Sequence, residues 1–110
     1  MKQNQPEKAV FYYSNAIAAN PFEKTVFSNR ANVLARLKRF QEALADYAAA
    51  IALDNKDGSI FYNRALTYYH MGELSKCLED LEAARQRNFP VDESIFRSVR
   101  KEWLKKRQSE

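Results

Sequence analysis

The sequence predicts an all-α fold, and three observations predict it. Gly occurs twice and Pro three times in 110 residues, which leaves few turn residues for β-hairpins. Apolar residues recur at three and four positions in each long segment, the period of a helix with one buried face. The chain also repeats itself. A shift of 34 residues lays Phe27, Asn29, Arg30 and Ala31 on Phe61, Asn63, Arg64 and Ala65, then Leu44, Asp46, Ala49 and Ala50 on Leu78, Asp80, Ala83 and Ala84. The same step backwards pairs Ala9, Tyr13, Ala16 and Ile17 with Ala43, Tyr47, Ala50 and Ile51. The pattern therefore begins half-way through a unit.

The spacing predicts six helices, over roughly 6–19, 23–37, 40–54, 58–71, 74–88 and 92–107. The first carries Val10, Tyr13 and Ile17 and stops at Asn20 and Pro21, since proline cannot continue a helix. The second presents Phe27, Ala31 and Leu34, and "LKRF" joins it to the third, which presents Phe40, Ala43, Leu44, Tyr47, Ala50 and Ile51 before "LDNKDGS" ends it. The fourth presents Phe61, Ala65 and Tyr68 up to "HMGEL", where Gly72 suits a left-handed helix end. The fifth presents Leu74, Cys77, Leu81 and Ala84, and the sixth presents Ile95, Phe96, Val99 and Trp103. Ala31 opposite Ala43, and Ala65 opposite Cys77, let paired helices approach closely, because bulkier residues there would hold the axes apart. Tyr12, Tyr13, Tyr47 and Tyr68, at helical spacing, read as core.

Composition excludes several function classes. One cysteine cannot form an internal disulfide, and with one histidine it supplies none of the usual zinc spacings. No metal and no cofactor is expected. No phosphate loop, acid pair or nucleophile with a base stands at a defined spacing, and His70 has no evident catalytic partner, so the chain reads as a non-enzyme. No run approaches the roughly 20 apolar residues of a membrane span, and the opening "MKQNQPEKAV" lacks the apolar core of a leader. A cytoplasmic location is expected. The net charge is +4 and the pI about 9.3, with the excess gathered in "RSVRKEWLKKRQSE".

The repeated residues resemble the tetratricopeptide repeat, in which aromatic and small residues recur over 34 positions. Phe27, Ala31, Leu34, Ala43, Tyr47 and Ala50 match its pattern in the first complete unit. Phe61, Ala65, Tyr68, Cys77, Leu81 and Ala84 match it in the second. Pro21 closes the leading half repeat, Asn55 replaces that proline in the next unit, and Pro90 sits one residue late. The resemblance implies a right-handed α-α superhelix of antiparallel helix pairs in a single domain, 1–110. Its parts are a half repeat at 6–21, repeats at 24–57 and 58–91, a capping helix at 92–107 and a tail at 108–110. The half repeat lacks its partner helix, and an open apolar face seeks cover, so self-association through that end is expected.

By the same resemblance, first helices line a concave face and the function is a non-catalytic adaptor or scaffold that binds a peptide or helix of another protein. The residues expected in that groove are Asn29, Asn32 and Arg36, then Tyr62, Asn63 and Tyr69, then Arg97 and Arg100, with Thr25, Ser28, Leu66, His70 and Phe96 beside them. Amides can bond a peptide main chain, rings supply contact area, and the arginines favour an acidic ligand. Many chaperone-serving members hold a terminal carboxylate with a clamp of lysines, asparagines and an arginine. Asn32, Asn63 and Arg97 match parts of it, but Ser28 and Glu93 stand at or near the lysine positions. A second alternative is a basic module for RNA or another anionic partner, built on Arg85, Arg87, Arg97, Arg100, Lys101, Lys105, Lys106 and Arg107. No base-reading motif accompanies that charge, which disfavours nucleic acid. Asn29 with Arg30, and Asn63 with Arg64, read equally well as contacts between adjacent helices.

Overall fold

The computed structural model describes residues 5–109 and consists of α1 (Gln5–Ala19), α2 (Lys24–Arg36), α3 (Phe40–Leu53), α4 (Gly58–Met71), α5 (Leu74–Gln86) and α6 (Glu93–Gln108). Met1 to Asn4, part of the opening read for a leader, and Glu110, the end of the expected tail, lie outside the described residues. Every expected helix is present within two residues of its expected ends, and among the described residues there is no strand. The fold is an all-α helical repeat. No helix among the described residues is long and apolar enough to cross a membrane. Contacts divide the chain after Lys56 into two units, one holding α1, α2 and α3 and the other α4, α5 and α6.

In the first unit α2 lies against α3, and α1 against α2. Ala31, Ala43 and Ala50 have no exposed surface, Leu34 retains 4 % and Tyr47 1 %. Three alanines at these places remove the side-chain bulk that would separate the axes. In the second unit α4 lies against α5, and α6 against α5. Ala65, Cys77, Leu81, Phe96 and Val99 form one buried cluster, with Tyr62, Tyr68, Leu74, Leu78, Val91 and Ile95 packed around it. Cys77 behaves there as a small apolar side chain, and burial pushes its thiol up to about 11.

The arginines that recur after 34 residues are built into this packing. In the first unit Arg30 Nε donates to Asp46 Oδ2 at 2.6 Å and Nη2 to Oδ1 at 2.8 Å. In the second, Arg64 makes the same fork onto Asp80 at 2.7 and 2.9 Å. Each aspartate is 5 % exposed. Charged hydrogen bonds to Asp46 and Asp80 hold the arginine pKa values above their ordinary range, against the opposing effect of burial. The guanidinium of Arg64 also lies 5.5 Å from the Phe61 ring, and that of Arg30 lies 6.0 Å from the Phe27 ring. The repeat thus conserves within itself a charged crosslink from first to second helix.

Helix ends repeat as well. Gly72 has φ 80°, and the bonds Gly72 N to Tyr69 O and Glu73 N to Tyr68 O close α4. Lys38, one period earlier, takes φ 62° and makes the matching bonds Lys38 N to Ala35 O and Arg39 N to Leu34 O. Asn88 ends α5 the same way at φ 64°. A side chain at positive φ is strained where glycine is not. Lys38→Gly is therefore expected to stabilise the protein by about 0.5–1 kcal/mol, less whatever the unfolded glycine gains in freedom. A small rise in the urea midpoint would be the reading, and a fall would contradict the left-handed assignment.

Two expected core residues, Tyr12 and the half-buried Tyr13, are not core. Tyr12 is 66 % exposed, and no residue of α1 is buried. Helical period alone placed them with Tyr47, but the helix that would cover that side of α1 has no counterpart among the described residues.

Candidate functional site

Residues left over by the repeat's packing are the ones available for a ligand. On α2, Asn29 is half-buried and Arg36 is exposed in the last turn. Asn32 accepts a hydrogen bond at Oδ1 from the Tyr47 hydroxyl. What Asn32 can offer a ligand is therefore its two N–H donors. Ser28 is buried and donates to Thr25 O at 3.1 Å, which removes it from the set expected to line a groove.

On α4 of the second unit, Asn63 is half-buried, while Leu66 and Tyr69 keep 37 % and 38 % of their surface. Leu66 and Tyr69 stand three residues apart and so share one helix face. The Tyr69 hydroxyl donates to the Glu102 carboxylate of α6, which raises the phenol above its ordinary pKa. Tyr69 is thus tied by its tip and open along its ring, with His70 edge-on at 5.9 Å. Tyr62 is held differently. It is half-buried, packs on the core cluster, and its ring lies 5.0 Å from that of Phe89 in the segment after α5. On α6, Arg97 and Arg100 are exposed, whereas Phe96 is 2 % exposed and belongs to the core.

The structure brings Tyr62, Asn63 and Tyr69 onto α4 and ties Tyr69 to α6, the helix that also carries Arg97 and Arg100. Asn29, Asn32 and Arg36 belong to the first unit. Sequence reasoning had no means of finding Phe89 or Glu102, which lie in a connecting segment and on the final helix, outside the repeated phrase. The exposed Leu66 stood in plain view at the spacing of Tyr69.

Several basic residues expected in an anion-binding patch have other work. Arg87 lies 4.1 Å from the Phe61 ring and donates to Ala83 O at 2.9 Å. Arg85 bridges Glu82 at 2.7 Å and Glu93 at 3.2 Å, so the carboxylate near a clamp lysine position is itself paired. Lys106 donates to Gly72 O at 3.1 Å, and Arg107 lies 5.0 Å from the Trp103 ring. In the first unit a cleft of about 280 Å³ is lined by Val10, Ser14, Arg30, Leu34, Arg39, Glu42, Ala45 and Asp46. Its charges are matched internally through Arg30 with Asp46 and Arg39 with Glu42.

The family model described as TPR repeat matches residues 31–72. The search of curated proteins found no significant match. Among solved structures, the TPR2B domain of yeast Sti1 in its pHsp70 complex is 30 % identical, aligned over 99 % of this chain and 88 % of that one with a TM-score of 0.75. The first TPR domain of human RPAP3 is 23 % identical over 99 % and 87 % of the two chains, with a TM-score of 0.88. The first TPR of Spaghetti (RPAP3), bound to the HSP90 peptide SRMEEVD, is 23 % identical over 94 % and 83 %, with a TM-score of 0.85. The small residues that let paired helices close and the arginine–aspartate forks recur at the 34-residue period of the tetratricopeptide repeat, and with these matches the chain belongs to the tetratricopeptide repeat family.

Proposed function

We propose that this protein is a non-catalytic adaptor whose α4 and α6 hold a short acidic segment of another protein. The observation that carries the reading is the division of labour on α4. Phe61, Arg64 and Ala65 are taken up by the repeat, while Asn63, Leu66 and Tyr69 keep an amide, an aliphatic side chain and a ring at the surface. Amide and ring together suit an extended peptide, because the amide bonds main chain and the ring covers a side chain. Arg97 and Arg100 supply positive charge on the neighbouring helix. Asn29, Asn32 and Arg36 offer the same chemistry on α2 of the first unit. The likeness to the TPR2B domain of yeast Sti1, whose structure is a pHsp70 complex, supports a protein ligand and suggests a chaperone-derived peptide as the first probe.

A terminal carboxylate is not required by this reading. Ser28 is buried and Glu93 is paired with Arg85, so two places where ammonium groups would bind a carboxylate offer none. Fluorescence anisotropy with the peptide SRMEEVD, carrying a free or an amidated C-terminus, tests the proposal at two salt concentrations. We expect binding that weakens with salt and changes by less than about threefold, well under 1 kcal/mol, on amidation. Loss of binding on amidation would favour a carboxylate clamp. No binding to this or other acidic peptides, at concentrations up to about 1 mM, would reject the adaptor reading.

A further inference from the structure

α1 carries a face that its repeat equivalents bury. Ala9, Tyr13 and Ala16 occupy the register of Ala43, Tyr47 and Ala50 and of Cys77, Leu81 and Ala84. Those six equivalents are at most 1 % exposed, because a first helix covers them. On α1, Ala9 and Tyr13 are only half-buried, Ala16 is exposed, and Tyr12 beside them is 66 % exposed. Val10 and Ser14 lie on the side nearer α2, where they line a cleft with Arg30 and Leu34 and Ser14 accepts from Arg30 Nη1 at 3.1 Å.

A first helix built like α2 or α4 would be poorly matched to this face. Those helices carry an arginine, Arg30 or Arg64, that pairs with the aspartate of the following second helix. Position 12, which aligns with Asp46 and Asp80, holds tyrosine. An arginine buried there would have no carboxylate, and an unpaired buried charge is strongly unfavourable.

The face is instead complementary to itself. Ala9, Tyr12, Tyr13 and Ala16 read the same in both directions, small, aromatic, aromatic, small, with gaps of three, one and three residues. An antiparallel copy rotated about a two-fold axis between Tyr12 and Tyr13 sets Ala9 against Ala16 and Tyr12 against Tyr13, the pairing an isologous interface requires. Alanines at both ends allow the axes to come close, while the tyrosines fill the centre. None of the four residues is charged, so the two-fold brings no like charges together in this stripe. We propose that the protein forms a two-fold dimer through antiparallel packing of α1 on α1 of a second copy. A helix of 15 residues is about 22 Å long, so the contact falls below the ~1,200–2,000 Å² of a stable interface. The dimer therefore exchanges with monomer as concentration changes.

The test is sedimentation of the full chain over a concentration series, paired with cysteine crosslinking. Wild-type protein should move from monomer to dimer, and Ala16→Glu, at an exposed position, should remain monomeric with unchanged helicity and melting temperature. Under oxidation the double variant Ala9→Cys, Ala16→Cys should form a disulfide-linked dimer. Its two cysteines are about 10 Å apart along one helix, too far to pair within a chain. The single Ala16→Cys variant should crosslink little, because the two-fold offsets the two copies of position 16. A wild-type monomer at every concentration overturns the proposal. Equal crosslinking by the single and double variants overturns the antiparallel register.

Discussion

Arg64→Ala is expected to lower stability by roughly 3–5 kcal/mol, the cost of breaking a buried ion pair from one side. The substitution leaves the carboxylate of Asp80, 5 % exposed, without the fork that neutralises it, and removes the cation from beside the Phe61 ring. Urea denaturation reads the loss directly. Arg64→Met combined with Asp80→Leu should recover most of it, since a buried pair replaced by apolar residues of similar size is often neutral or better. Breaking the first unit's fork from the other side, with Asp46→Ala, should cost less. Arg30 is then left with the Ser14 hydroxyl as acceptor at 3.1 Å. A loss below about 1 kcal/mol for Arg64→Ala would reduce this pair to an ordinary surface bridge.

Gly58→Ala is expected to be the second large effect, about 1–3 kcal/mol of destabilisation from overpacking. Gly58 opens α4 and is buried. A Cβ there would stand 2.8 Å from Phe89 Cβ, 3.0 Å from Ala84 O and 3.2 Å from Arg87 Cβ. Alanine is the better helix former by about 1 kcal/mol in a helix interior, so propensity and packing oppose one another. Packing should win because the three obstacles are a backbone oxygen and two side-chain roots, none of which can swing aside. Thermal unfolding settles the sign. A stabilised Gly58→Ala would mean that the segment after α5 yields easily, and with it the Phe89 ring that supports Tyr62.

The parts of the fold legible in the sequence were those written in its period. Alanines at 31, 43, 50, 65 and 84 announced close helix pairs, and Gly72 announced a helix end. The ends of the arginine–aspartate forks were legible, but their pairing was not. Arg30 and Arg64, like Asp46 and Asp80, recur at one shift, and only the geometry shows that the two recurrences are the two ends of one bond. Lys38 was hidden because its identity argues against positive φ, although one period separates it from Gly72. Tyr12 was misplaced because periodicity states which residues share a face and not whether anything covers that face.

The candidate site was less legible, for a physical reason. Ligand-facing residues are those that the repeat does not constrain, so no periodicity marks them. The bond from Tyr47 to Asn32, the contact of Tyr62 with Phe89 and the tie from Tyr69 to Glu102 depend on how elements meet in space. They also decide which substitutions make clean tests. Tyr62→Ala would disturb the core cluster, whereas Asn63→Ala with Tyr69→Ala removes an amide and an exposed ring and leaves the buried cluster in place.

Affinity capture from a nuclease-treated lysate, comparing the wild type with the Asn63→Ala, Tyr69→Ala variant at low and high salt, addresses the central claim most directly. The expected result is a protein partner retained by the wild type at higher salt and lost by the variant. Capture of the same partners by both, or of partners that vanish with salt or nuclease alone, would contradict it.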